Sequence, residues 1–192
     1  MRNNNDIYDK EWAQTEWRDK PWVNEWADII MKYLKPKSVI DFGCGSGDIL
    51  APFEKKGLEV LGIDASTAVQ DYLKIKKENF LSFDLREEFY PDKKYDLAIA
   101  VEVGEHIEKE YDEMFMDNLC RASNRVLWTA DIGKPSRYHP NPQYPNYWMV
   151  KFFRRGFRED KGMTDSLKLA TGKIKDIKDK YIDRLVLYRK IK

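Results

Sequence analysis

Three glycines at alternate positions, Gly43, Gly45 and Gly47, separate an apolar run from an amphipathic one, and Asp41 precedes them. Glycine tolerates positive φ and lets a ligand approach the main chain closely, while a helix that starts just beyond such a loop offers unsatisfied amide donors. About twenty residues further on, the run Glu-Val-Leu-Gly-Ile ends at Asp64, with Ala65 behind it. A carboxylate at the C-terminal edge of a strand, at that distance from the loop, can accept both hydroxyls of a ribose. The chemistry implied is nucleoside recognition. The spacing Asp-x-Gly-x-Gly-x-Gly differs from the dinucleotide fingerprint Gly-x-Gly-x-x-Gly, which disfavours a nicotinamide site.

A second group of reactive residues lies later in the chain. The run Glu102-Val-Gly-Glu105-His106 follows an apolar stretch, and His139 sits in the proline-rich segment Arg137-Tyr-His-Pro-Asn-Pro. These are the chain's two histidines. Either His106 or His139 is a candidate general base. With Glu102 and Glu105 they also make two carboxylates and two imidazoles, a donor set suited to a divalent cation. A plain alternative stays open, in which the acidic-His run merely ends a strand and starts a helix. Cys44 reads as a small space-filling residue rather than a nucleophile, and no serine or cysteine triad is indicated.

The elements that must position these groups alternate. Ser38–Phe42, Glu59–Ile63, Asn79–Phe83, Leu97–Val101, Arg125–Thr129 and Arg184–Tyr188 are β-rich runs. Helical patterns are predicted near Gly47–Lys56, Thr67–Lys76, Glu108–Ala122, Asn146–Arg155 and Thr164–Lys180. This rhythm predicts one α/β domain with a doubly wound, mainly parallel sheet over 37–192, and a substrate-side loop at 131–148. Residues 1–36 read as a helical cap, broken at Pro21, whose tryptophans at helical spacing suit a packed face, with Trp12 and Trp17 as the alternative candidates for a lid. Tyr144, Tyr147 and Trp148 would line an acceptor pocket, although Trp148, Val150, Phe152 and Phe153 equally suit a core face.

Composition narrows the function classes. The chain has 192 residues, with 34 Lys and Arg against 33 Asp and Glu, so it lacks the broad positive field of a dedicated nucleic-acid binder. From Lys151 onward 14 basic residues face 6 acidic ones, an asymmetry that favours an anionic acceptor. Cys44 and Cys120 are the only cysteines, which suits free thiols in a reducing compartment. The polar N-terminus and the lack of any long apolar run predict a cytoplasmic protein with no membrane partner.

The glycine loop, Asp64, the Phe83-Asp-Leu85 segment and the Tyr95–Ile107 strand-plus-loop together resemble the motifs of class I, Rossmann-like, S-adenosylmethionine-dependent methyltransferases. The similarity runs from Ser38 to Tyr188. It implies about seven strands, the last antiparallel, and S-adenosylmethionine as cofactor. Asp41, Gly43, Cys44, Gly45 and Gly47 would then lie near the methionine part, Asp64 and Ala65 at the ribose, Asp84 and Leu85 by the adenine, and Glu102 near the methionine end. The segment from His139 to Phe157 is similar to small methyltransferases that act on sugars and natural products, which implies O-methylation of a small, sugar-like acceptor. Glu102, Glu105, His106 and His139 also resemble the metal quartet of small-RNA 2′-O-methyltransferases, which implies a rival reading with RNA as acceptor and Mg²⁺ or Mn²⁺ bound. A third reading is a binding protein that holds the cofactor without transferring its methyl group.

Overall fold

A computed structural model describes residues 20–175, 177 and 179–191. Seven strands form one sheet: β1 (Ser38–Phe42), β2 (Glu59–Asp64), β3 (Phe80–Ser82), β4 (Leu97–Val101), β5 (Arg125–Thr129), β6 (Phe157–Glu159) and β7 (Val186–Lys190), in the order β3-β2-β1-β4-β5-β7-β6. The pairs within β3-β2-β1-β4-β5 are parallel, whereas β7 runs antiparallel to both β5 and β6. The helices are α1 (Trp22–Leu34), α2 (Ala51–Lys55), α3 (Asp112–Ala122), α4 (Pro145–Arg154), α5 (Lys161–Thr171) and α6 (Asp179–Asp183).

Both faces of the sheet are covered, which is why its central strands are continuous apolar runs rather than alternating ones. In β1, Ile40 and Phe42 join Phe115, Met116, Leu119, Trp148 and Phe152 on the α3–α4 face. Val39 points the other way, into a cluster with Trp26 and Ile30 of α1, Phe53 of α2 and Leu167 of α5. Phe53, Phe115, Trp148 and Phe152 are fully buried, and each such side chain contributes about 1.5–3 kcal/mol or more. Helix α1 buries Trp22, Val23, Trp26, Ala27, Ile30 and Leu34, a three-and-four spacing, and stops at Lys35, which takes a left-handed conformation just before Pro36.

The strand order reverses direction between β1 and β4. At such a switch point the loops leaving two adjacent strands diverge and open a crevice at the carboxyl edge. Here the diverging loops are the glycine segment after β1 and the Glu102–Ile107 segment after β4.

Several elements depart from the sequence expectations. The helix expected over Gly47–Lys56 is a run of turns followed by α2, and that over Thr67–Lys76 is a 3₁₀ segment at Ala68–Tyr72 with no α-helix. Helix α3 starts at Asp112 rather than Glu108, because Gly104–His106 forms its own 3₁₀ turn and the chain is irregular up to Tyr111. The stretch expected to be one helix from Thr164 to Lys180 is divided: α5 begins earlier, capped by the Asp160 carboxylate on the Met163 amide, and ends at Thr171. The final strand lies two residues later than Arg184–Tyr188, and β6 was not expected at all. Trp12 and Trp17 lie outside the described residues. Among the described residues no helix is long and apolar enough to cross a membrane.

Candidate functional site

Beyond Phe42 the main chain folds back on β2: the amides of Gly43 and Cys44 both donate to the Ile63 carbonyl, at 2.8 and 3.0 Å. Gly43 has φ +74°, and a Cβ there would lie 2.6 Å from Val103 Cγ2, so a side chain is excluded by backbone conformation and by space. Gly45, at φ +54°, donates its amide to Asp64 Oδ2 at 2.8 Å, and the Ser66 amide donates to Asp64 Oδ1 at 2.8 Å. An ionised carboxylate has about four acceptor positions, so each oxygen keeps capacity toward the crevice. Burial raises the Asp64 carboxyl above its usual range, against the pull of those two amides. Asp41 is 2% exposed, and its Oδ2 has no hydrogen-bond partner among the described residues. Burial, and then the charge of Asp64, push its acid well above the usual range. The loop is braced from behind, where Asp48 accepts from Ser46 Oγ and pairs with Lys74, both at 2.7 Å.

A cavity of about 770 Å³ runs from Gly45, Asp64 and Leu85 at one end to Glu105, His106 and His139 at the other. Cys44, Ala65, Asp84 and Glu102 also line it. The Asp84 carboxylate is gripped by Arg86, whose Nε and Nη2 approach at 2.9 and 2.6 Å and hold its acid below the usual range despite burial.

At the far end, Glu102 is one of two non-glycine residues with positive φ, at +55°, among the described residues. Its amide is fixed by the Thr129 carbonyl and hydroxyl, at 3.1 and 3.0 Å, and its carboxylate faces Arg184 at 3.4 Å. Glu105 is 1% exposed, and neither of its oxygens meets a well-aligned donor among the described residues. Burial, followed by the charge of Glu102, raises its acid to about 8. The His106 and His139 rings stand perpendicular with centroids 4.7 Å apart. His106 Nδ1 lies 2.7 Å from the Tyr138 carbonyl, and His139 Nδ1 lies 3.0 Å from Asp131 Oδ2. Since Nδ1 is engaged in each ring, further chemistry must pass through Nε2. Ligand atoms of Glu105, His106 and His139 lie within 4.8 Å of one another. Of the four residues in the expected quartet, the fold brings Glu105, His106 and His139 together, while the Glu102 carboxylate lies beside Arg184.

The methyltransferase-domain profile matches residues 15–136, more than half of the chain. The chain belongs to the methyltransferase-domain family. A ubiquinone biosynthesis O-methyltransferase of Bradyrhizobium sp. (strain ORS 278) is 35% identical over 74 residues, which is 36% of this chain and 29% of that protein. The chain thus spans less than a third of the length of the curated relatives it matches. Among solved structures, Streptomyces venezuelae DesVI superposes with a TM-score of 0.65 at 12% identity, covering 100% of both chains. The methyltransferase domain of bacterial CtHen1-C gives a TM-score of 0.60 at 18% identity, over 88% of this chain and 98% of that one. At those identities the likeness is one of fold.

The family's methyl donor, S-adenosylmethionine, is a nucleoside carrying a cationic sulfonium and an ammonium group, and the cavity's size and its Asp64 carboxylate suit the nucleoside part. The cavity volume falls within the range of about 300–1,000 Å³ usual for small-molecule sites. Asp64 retains acceptor capacity where it lines the cavity, whereas Asp41 and Gly47 are not among the lining residues. Sequence reasoning missed Lys20, Trp22, Tyr111 and Tyr181, which wall the cavity, and Trp22 packs on Tyr181 with centroids 5.2 Å apart. No motif marks them, because α1 and α6 meet only in the folded chain. The aromatic residues expected at an acceptor pocket do not line this cavity: Trp148 is core, Tyr144 is exposed and the Tyr147 hydroxyl donates to Asp112; of the residues read alternatively as a core face, Trp148 and Phe152 are buried while Val150 and Phe153 are exposed.

Proposed function

We propose that this domain transfers the methyl group of S-adenosylmethionine to an oxygen of a small, sugar-like acceptor. The observation that carries this reading is the continuous cavity joining the Gly45–Asp64 end to the His106–His139 end. In this reading Asp64 accepts both ribose hydroxyls, with Ala65 beside it. Asp84 and Leu85 flank the adenine. The loop from Gly43 through Cys44 and Gly45 to Gly47 takes the methionine portion, with Asp41 and Glu102 as its anionic neighbours. The bound donor supplies an already activated sulfonium methyl, so the protein's work is alignment and proton removal. His139, with Nδ1 turned to Asp131, accepts the acceptor's hydroxyl proton at Nε2, and His106 borders the same space.

The 35%-identical stretch shared with an O-methyltransferase supports an oxygen acceptor. Incubation with methyl-labelled donor and a panel of hydroxylated sugars and phenols should yield an O-methylated product. A product methylated on nitrogen or carbon, or labelling confined to RNA, would overturn this assignment.

The Glu105–His106–His139 cluster favours a second reading in which the same end holds a divalent cation. Two imidazoles and one carboxylate suit Mn²⁺ better than Mg²⁺, and Nδ1 of each histidine already has the backing partner that metal-bound imidazoles use. The cation would act as a Lewis acid toward the acceptor oxygen. Mn²⁺ titration followed by electron paramagnetic resonance should show one bound ion, lost in Glu105→Ala and His139→Ala. Full activity in chelator, with no bound Mn²⁺, refutes this reading and leaves His139 as base.

A further inference from the structure

Arg184 lies between α6 and β7, more than forty residues beyond His139 in the chain, and no cofactor motif includes it. Its Nη1 nonetheless donates to Asp131 Oδ1 at 2.5 Å and lies 3.4 Å from Glu102 Oε2. The three side chains are sheltered, with relative exposures of 21% for Arg184, 20% for Asp131 and 11% for Glu102. A single guanidinium therefore bridges the ends of β4 and β5. The remaining Asp131 oxygen, Oδ2, faces His139 Nδ1 at 3.0 Å, and the Ile132 amide adds a second restraint on Oδ1 at 2.9 Å.

A neutral imidazole carries one N–H, and an ionised carboxylate can only accept, so the His139 nitrogen that faces Asp131 must be the protonated one. The lone pair is then left on Nε2. We propose that Arg184 is a positioning residue: by fixing one oxygen of Asp131 it aims the other at His139 Nδ1, and so presents the Nε2 lone pair of His139 to the acceptor end of the cavity. This rests on reading that end as the acceptor side, and it serves a proton acceptor and a metal ligand equally. Without the guanidinium, Asp131 Oδ1 keeps only the Ile132 amide, and the carboxylate is free to rotate away from the histidine.

The chain's two histidines make a direct test practical. In ¹⁵N-labelled protein at about pH 9, well above the ordinary imidazole range of about 6.5, long-range ¹H–¹⁵N correlations distinguish a protonated ring nitrogen from a bare one. The variant His106→Gln assigns the two rings. In the wild type, His139 should be in the Nδ1–H form by about tenfold or more, the shift that a charge-assisted hydrogen bond provides. Asp131→Ala and Arg184→Met should both return it toward the Nε2–H form that free imidazole side chains favour, and Arg184→Lys should restore part of the wild-type signal. Backbone amide spectra report folding, and Arg184→Gln serves if the Met variant does not fold. An Nε2–H ring in the wild type, or a wild-type signal retained in Arg184→Met or Arg184→Gln, overturns the proposal. Neither donor nor acceptor is in the sample, so either result is independent of whether the domain transfers methyl groups.

Discussion

Replacing Asp64 with alanine isolates the ribose assignment. Each oxygen of the carboxylate already accepts one backbone amide at 2.8 Å, so each has room for one ribose hydroxyl. Hydrogen bonds to a charged group contribute about 1.5–3 kcal/mol each. Because both oxygens are partly engaged, the lower end applies, giving about 3 kcal/mol for the pair or roughly 150-fold in affinity. The substitution also leaves the Gly45 and Ser66 amides without their acceptor and slackens the loop, so 150-fold is a lower bound. Asp64→Asn keeps the shape but must turn an NH₂ toward either an amide donor or a hydroxyl, and it should cost about tenfold. Calorimetry with S-adenosylhomocysteine is the assay, with circular dichroism to verify folding. A folded Asp64→Ala protein that binds within threefold of wild type would refute the assignment.

Gly45→Val forces a β-branched residue to φ +54° beside the Asp64 contact, so it should abolish S-adenosylhomocysteine binding; retained binding would remove the loop from the site. Glu105→Gln tests the buried acid. Because the folded form holds its proton up to about 8, the wild-type residue favours folding at low pH, and that contribution is lost as pH rises from about 5 to 8. Relative to wild type in chelator, Glu105→Gln should therefore gain stability by at most about 1.4 kcal/mol per pH unit across that window, and a pH-independent difference in urea midpoints would contradict the burial argument. Lys151→Met removes the cation bonded to Asp112 at 2.7 Å, and Asp112 is 1% exposed, so about 3 kcal/mol of stability should be lost while affinity for S-adenosylhomocysteine measured below the melting range stays unchanged. A melting temperature equal to wild type would argue that Asp112 is not charged there.

The glycine-loop end of the cavity was legible because its residue pattern is contiguous. Asp41, Gly43, Gly45 and Gly47 sit on one strand-to-loop junction, and Asp64 ends the next strand. Parallel pairing of β1 with β2 brings that carboxylate against the Gly45 amide with no contribution from distant elements. The Glu105-His106 pair was visible for the same reason, and the apolar runs of β1, β4 and β5 announced a sheet covered on both faces. Helix ends were less legible, since propensity does not register where tertiary contacts stop a helix; the 3₁₀ turn at Gly104–His106 and the short α2 are such cases.

What the sequence determined by itself is the class of ligand and the order of the elements, both set by local patterns of residue type. What only the tertiary structure decided is the make-up of the Glu105–His106–His139 end of the cavity. The Glu102 carboxylate lies beside Arg184, 82 residues later, rather than with Glu105, His106 and His139, and His139 meets His106 only because the loop after β5 folds over the one after β4. Trp22 and Tyr181 close the cavity from opposite ends of the described chain. Contacts of such separation depend on the packing of whole elements, and no spacing rule along the chain encodes them.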